Sequence, residues 1–296
     1  MTRLSMHTMR KQRTIARCAT VAGFGFWSGR DVALEFRPAE VDTGIVFVRR
    51  DLEGHPRIAA RVAHRLETSR RTSLRCGAAE VEMVEHVLAA LAGLQIDNCE
   101  AWVDEAEMPG CDGSALPFVA ALETAGIVPQ GALRPRRLLC DVVRLGDEES
   151  WIEARPVASA TPVLRYHLDY GLASPIGRQT FEIALTPESF RSELATCRTF
   201  MLKSEADWLQ AQGLGRRVTA RDLLVFGRDG LIDNQQRFPD ECVRHKLLDV
   251  VGDLALAECD LIGRITAYRS GHRLNARLVQ TLLAQTETVR QWRQSA

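Results

Sequence analysis

His245 and Asp249 stand four residues apart in the segment PDECVRHKLLDVVGDL (239–254). On a helix that spacing puts both side chains on one face, a turn apart, so an imidazole and a carboxylate reach a common point. Helices supply two ligands to one metal in this way, the physics behind HExxH zinc sites, although an exposed ion pair has the same spacing. Lys246 and Asp253 lie close by on the same mostly apolar stretch. A second pair, Glu85-His86, sits in the apolar run MVEHVLAALAGL. Neighbouring residues on a helix point about 100° apart, so a metal-binding His86 leaves Glu85 able to approach the attacking water without being a ligand. Two histidines and one carboxylate leave a coordination position open, which is the mark of catalytic rather than structural zinc. The competing reading of Glu85-His86 is a capped or ion-paired helix. His272 follows Gly271 in a turn, where it is either a proton donor or a surface histidine. Arg216, Arg217 and Arg221 form a basic cluster able to hold phosphates, or a solvated helix end.

The elements that must position these residues follow from periodicity. Apolar residues alternate from Ile15 to Phe26 and from Val32 to Phe36, with a turn at Gly29-Arg30-Asp31, and Ile45–Val48 reads as a third strand. Val81, Val84, Leu88 and Leu91 recur at helical spacing and predict a helix over 81–94 that ends near Gly93. A short strand (101–103), a turn-rich loop (108–113) and a second helix from Ser114 to Gly126 complete the first half. Residues 128–137, with two Pro, one Gly and three Arg, read as a linker. The expected domains are therefore 1–128 and 129–296. The second half carries strands near 137–143, 151–154, 164–170 and 180–185, then helices over 187–194 and 203–212. The helix from Pro239, with Asp240 and Glu241 in its first turn, comes next, followed by a strand over 263–268, a turn at 270–272 and a last helix from Leu274. This order is no steady βαβα alternation, and it predicts an α+β fold of two similar-sized domains, each in two layers.

Composition narrows the function classes. In 296 residues, 38 Lys plus Arg balance 38 Asp plus Glu, so no whole-chain field draws a polyanion and nucleic acid is not an expected partner. With 46% apolar and 26% charged residues the chain is an ordinary folded protein, and no apolar run approaches the roughly 20 residues of a membrane span. Eight cysteines without a CxxC pair exclude a zinc ribbon and a thioredoxin-type site and suggest buried free thiols in a reducing compartment. No acid precedes Asp31 and there is no apolar core of a secretory signal; an Arg-rich, acid-poor opening also suits an organelle transit peptide, but its last part already alternates like a strand, so it reads as a short basic lead-in to the fold, and the expected location is cytoplasmic. Gly23, Gly25 and Gly29 give GxGxxxG rather than GxGxxG, GxxxxGK[ST] is absent, and no GxSxG surrounds Asp112-Gly113-Ser114.

Five separated segments, VEHVLAALAGLQIDN (84–98), DGSALPF (112–118), RTF (198–200), VRHKLLDVVGDL (243–254) and SGHRLNARL (270–278), together resemble the UDP-3-O-acyl-N-acetylglucosamine deacetylase family. These are zinc enzymes of the committed step of lipid A synthesis, and the likeness runs from about Gln12 to Ala284. It implies His86, His245 and Asp249 as metal ligands. It implies Glu85 as the base that takes a proton from water attacking the acetamide carbonyl, and His272, protonated, as the group that stabilises the oxyanion and supplies the leaving amine. Lys246 and Thr199 would polarise or hold the tetrahedral intermediate, Asp253 would orient and charge the histidine, and Phe200 would lie beside the sugar. The implied fold is two domains of similar topology, each a mostly antiparallel sheet with two helices, facing each other across the active site. An insert near 172–178 would form part of an acyl-chain passage.

Three segments depart from the family pattern. Trp27 in Gly25-Phe26-Trp27-Ser28-Gly29 stands where many members have histidine, Glu82-Met83-Val84 replaces Ser-Thr-Val, and Arg216-Arg217-Val218-Thr219 replaces a Gly- and Ser-rich loop. None removes a ligand or the base, but all touch the expected substrate surface, with Trp27, Arg216, Arg217 and Lys246 as candidate contacts. The expected partner is a small UDP-sugar lipid handled by a monomer, with at most transient contact with a membrane surface. Zinc is the expected cofactor, and the donor set also accepts Fe(II). Two other readings compete: a paralogue acting on a different N-acetyl sugar, and an idle homologue keeping the metal as structure. The intact Glu85 and His272 count against the idle homologue.

Overall fold

In a computed structural model describing residues 9–294, the first half of the chain runs β1 (Lys11–Ile15), β2 (Ala19–Phe24), β3 (Asp31–Pro38), β4 (Ile45–Arg49), β5 (Arg57–Ala59), β6 (Arg65–Leu66), β7 (Ser73–Cys76), β8 (Ala79–Glu82), α1 (Glu85–Gly93), β9 (Cys99–Val103), α2 (Leu116–Ala125) and β10 (Ile127–Leu133). The second half runs β11 (Arg136–Leu138), β12 (Val143–Gly146), β13 (Trp151–Arg155), β14 (Val163–Asp169), β15 (Arg178–Ala184), α3 (Pro187–Glu193), β16 (Phe200–Leu202), α4 (Lys203–Ala211), β17 (Leu224–Gly227), β18 (Gly230–Leu231), α5 (Glu241–Leu254), β19 (Asp260–Ile262), β20 (Arg264–Tyr268) and α6 (His272–Gln294). The expected basic lead-in begins in residues 1–8, outside the described residues.

Each half builds one five-stranded sheet, and the two sheets have the same strand order. The first is β2-β3-β9-β4-β5 and the second β12-β13-β20-β14-β15. In both, the last strand inserts between the second and third, so its contact with the third is parallel and every other pairing is antiparallel. In both, one helix precedes that inserted strand, α1 or α5, and another follows it, α2 or α6. The expected α+β class and the similar topology of the halves are thus observed. α1 and α5 pack against each other at the centre, α2 lies on β2, and α6 lies on β12 and β13, so the helices fill the space between the sheets. A helix in that position is covered on every side. This explains why α1 is apolar nearly all round and buries all but one of its residues.

Local differences from the sequence reading have physical causes. The helix expected over 81–94 covers only Glu85–Gly93: Val81 belongs to β8, and Met83 takes the left-handed conformation (φ 57°), which no helix can pass through. Glu85 and His86 therefore occupy the first turn. The linker expected at 128–137 is mostly strand, because β1 offers β10 an antiparallel edge and β19 offers β11 a parallel one. His272 is not in the turn but is the first residue of α6. Residues 172–177 only join β14 to β15, whereas the second half's added unit is the sheet β16-β17-β18 with α4. All eight cysteines are free, yet Cys18, Cys76 and Cys140 are exposed rather than buried.

The contact between α1 and α5 depends on Gly252. A Cβ there would lie 2.1 Å from the Glu85 carbonyl oxygen. Gly252→Ala must push the two helices apart and is expected to destabilise the protein by about 1–3 kcal/mol. Chemical denaturation measures this, and an unchanged midpoint would show that the helices are not in this contact.

Candidate active site

α1 and α5 each bring part of a buried cluster to their interface. His86, in the first turn of α1, meets His245 and Asp249, one turn apart on α5, and one donor atom from each lies within 4.8 Å of the others. The two imidazole rings are nearly perpendicular, 5.1 Å apart. His245 and His86 direct Nε2 at the same Asp249 oxygen, Oδ1, from 3.5 and 3.6 Å. His245 Nδ1 lies 3.1 Å from the Cys197 carbonyl oxygen, which accepts its hydrogen and leaves Nε2 with a lone pair. Burial outweighs the nearby carboxylate and lowers the His245 pKa to about 4, so the ring is neutral near pH 7. Asp249 stays ionised: burial opposes its charge, but Lys246 and His245 hold its pKa well below the ordinary value. Two imidazole nitrogens and a carboxylate oxygen converging inside the protein, with the His245 Nε2 lone pair free, are a donor set that fits a divalent metal.

Two groups flank the cluster. Glu85 is buried; its Oε2 accepts the Thr72 backbone N–H at 2.9 Å, and its Oε1 forms a long ion pair with His272 Nε2 at 3.9 Å. Burial raises the Glu85 pKa, with His272 and His86 opposing. His272 Nδ1 donates to Asp253 Oδ2 at 2.9 Å. Burial alone would discharge this histidine, but Asp253, with Glu85 and Asp249 adding to it, more than compensates and lifts its pKa to about 9. Asp253 is itself fixed by the Thr72 hydroxyl (2.6 Å) and the Asn275 amide (2.8 Å), and Ser270 Oγ donates to Asn275 Oδ1 at 2.6 Å. Sequence reading missed Thr72 and Asn275. Nothing in the local pattern marks Thr72, which reaches the site from the β6-β7-β8 sheet. Asn275 lies three residues after His272 on α6, so helical spacing could have found it.

Lys246 Nζ donates to Asp249 Oδ2 at 2.6 Å, the oxygen turned away from the two histidines. Thr199 and Phe200 begin the added unit of the second half, and a buried ion pair anchors them. Arg198 Nε lies 2.8 Å from Glu241 Oε1, and the same oxygen accepts the Arg198 backbone N–H at 3.0 Å, joining β16 to the start of α5. Thr199 N–H then donates to the Gly113 carbonyl at 2.8 Å. Phe200 packs between His245 and Tyr170, with ring centroids 6.2 and 5.9 Å away. The cluster opens into a cleft of about 1480 Å³ lined from both halves, Trp27, Thr199, Phe200 and Lys246 among the lining. The Trp27 turn is held by Glu107, which accepts the Trp27 and Ser28 backbone N–H groups at 2.7 and 2.8 Å, and Arg71 lies over the indole. Arg216 and Arg217 are outside that lining. Arg217 instead bonds Asp31 and the Gly29 carbonyl, both at 2.7 Å, and covers Phe24, tying its loop to the first half. Arg269 and Arg273 are cations that do line the cleft.

An α+β fold with two histidines and a carboxylate around one point, a buried carboxylate on one side and a carboxylate-charged imidazole on the other, defines a class: metal-dependent hydrolases of acyl bonds. The family model for UDP-3-O-acyl N-acetylglycosamine deacetylase matches residues 12–284. Proteins called UDP-3-O-acyl-N-acetylglucosamine deacetylase from Brucella melitensis biotype 2, Brucella ovis and Brucella abortus strain S19 are each 38% identical over 276 residues, 92% of this chain and 95% of theirs. The chain belongs to the UDP-3-O-acyl N-acetylglycosamine deacetylase family. Among the described residues no helix is long and apolar enough to cross a membrane.

Proposed function

We propose that the protein hydrolyses the N-acetyl group of UDP-3-O-(3-hydroxyacyl)-N-acetylglucosamine, releasing acetate and a free amine, in lipid A biosynthesis. The observation that carries this reading is the convergence of His86, His245 and Asp249 beside Glu85 and the His272–Asp253 pair, in a family whose named members are such deacetylases. Bound by these three ligands, a divalent cation, zinc by preference with Fe(II) as the alternative, supplies an electrophile for the amide oxygen and eases the ionisation of water. Glu85 takes a proton from the water whose oxygen joins the carbonyl carbon. His272 holds the oxyanion and gives its proton to nitrogen as the C–N bond breaks, leaving the amine and acetate. Lys246 keeps Asp249 charged and adds a cation beside the developing oxyanion, and Thr199 and Phe200 line the sugar side of the cleft.

We take the halves, divided near residue 128 with β10 as the junction, to be two domains. One supplies His86 and Glu85, the other His245, Asp249, Asp253 and His272. Because one chain supplies every group, a cytoplasmic monomer suffices. Trp27 and the lining cations Arg269 and Arg273 are the candidates for reading the rest of the substrate, in place of Arg216 and Arg217, which lie outside the lining. Acetate release by zinc-loaded protein from the acylated UDP-sugar, compared with the same sugar nucleotide lacking the acyl chain, tests the reading. The acylated substrate is expected to turn over faster by at least tenfold in kcat/KM. Preference for the chain-free compound would favour the paralogue reading, which the Trp27 substitution motivates.

A further inference from the structure

A second cavity, of about 380 Å³, lies between the two halves at the C-terminal ends of α1 and α5 and shares no lining residue with the catalytic cleft. That volume is within the usual range for small-molecule sites, roughly 300–1,000 Å³. Its walls are apolar, with Leu88 and Leu91 from α1, Val251 from α5, and Leu164, Leu185 and Ile265 from the second half. Its rim carries three arginines and three carboxylates, but they are unevenly paired, because Glu258 takes its partner, Arg61, from outside the lining. Asp97 pairs with Arg10 at 2.6 Å and Arg134 at 3.0 Å, Asp260 pairs with Arg10 at 2.7 Å, and Glu258 pairs with Arg61 at 3.3 Å. Arg136 is left over. One of its terminal nitrogens reaches the Ala160 carbonyl at 3.3 Å, and among the described residues its buried Nε has no hydrogen-bond partner and no carboxylate lies within 4.0 Å of it. A half-buried guanidinium with an unmet donor at the edge of an apolar cavity wants one anion carrying a hydrocarbon body.

We infer that this cavity binds a fatty acid, its chain between α1 and α5 and its carboxylate on Arg136. The site stands on its own geometry, whatever the substrate of the catalytic cleft. Calorimetric titration of the full-length, metal-loaded protein with dodecanoate and with dodecanol tests it. One equivalent of dodecanoate is expected to bind; Arg136→Gln is expected to weaken it about tenfold or more, Arg136→Lys less, and dodecanol is expected to bind like dodecanoate does to Arg136→Gln. Phe200→Ala, in the catalytic cleft, is expected to leave dodecanoate affinity unchanged. Melting curves check that each variant is folded. Loss of binding in Phe200→Ala with none in Arg136→Gln would put the chain in the catalytic cleft and overturn the inference. Equal binding of acid and alcohol, or no binding, would overturn it too.

Discussion

Glu85→Gln is expected to slow acetate release by about 10²- to 10⁴-fold while leaving the bound metal at one equivalent. The substitution is nearly isosteric, and the amide oxygen can still accept the Thr72 backbone N–H that now bonds Oε2. Glu85 is also outside the three-donor cluster, so metal affinity should hardly move. What disappears is the only change Gln makes chemically, the capacity to take a proton. On the proposed mechanism the same residue sets the acid limb of the pH profile. With Glu85 as the proposed base, activity requires the carboxylate, and burial raises its pKa above the ordinary 4.5, so the rate is expected to fall as pH drops through that raised value. In Glu85→Gln the acid limb contributed by this residue is expected to vanish from the residual rate. Metal analysis and pH–rate curves on the same preparations check both. If metal were lost in proportion to rate, Glu85 would be a ligand, and if the rate persisted, the base would lie elsewhere.

How much of this was legible in the sequence depends on the distance over which each feature is determined. The HxxxD pair was readable because four residues on a helix are four residues in space, and α5 holds His245 and Asp249 on one face. The meeting of that pair with His86 was not, since it crosses about 160 residues and rests on the α1–α5 contact that Gly252 permits. Resemblance supplied it before geometry could. Helical periodicity at Val81 and Val84 misled because a left-handed Met83 separates strand from helix, and backbone conformation of that kind leaves no periodic trace. Composition misled over 128–137, where Pro, Gly and Arg suit a linker equally well as an edge strand whose partner lies far away in the chain. Arg216 and Arg217 looked like a phosphate site because charge is visible in sequence and direction is not. Arg217 spends its charge on Asp31.

The repeated strand order gives the site its logic. Each half brings one helix, the one entering its inserted strand, to the centre, and the cluster forms where those two equivalent helices meet. The halves are not chemically equivalent there. α1 contributes its first turn, where backbone N–H groups favour the Glu85 carboxylate, and α5 contributes its middle, where only side chains are available. The proposed acid, His272, arrives on a third helix, α6, whose own N-terminus disfavours a protonated imidazole. Asp253, on α5, must overcome that as well as burial.

On the proposed mechanism Asp253 is the residue that sets the alkaline limb. As the proposed acid His272 works only while protonated, and its pKa of about 9 means that the proton is present at neutral pH and is lost as pH rises through that value. Asp253→Asn removes the largest of the charges that offset desolvation, so the His272 pKa is expected to fall from about 9 toward its ordinary 6.5 or lower and the alkaline limb to move down with it. At pH 7.5 kcat is then expected to drop by about 10²-fold, with KM little changed, since Asp253 acts through the histidine and not on the ground-state substrate. His272→Ala is expected to cost at least as much, and adding Asp253→Asn to it little more, because both remove one proton donor. A purely structural role for Asp253 would predict otherwise: the Thr72 and Asn275 bonds would be lost, stability would fall, and the pH limb would stay in place. Rate profiles between pH 5 and 10, with melting curves on the same variants, separate the two outcomes. A fixed alkaline limb in Asp253→Asn would mean that His272 is not the group whose deprotonation ends catalysis.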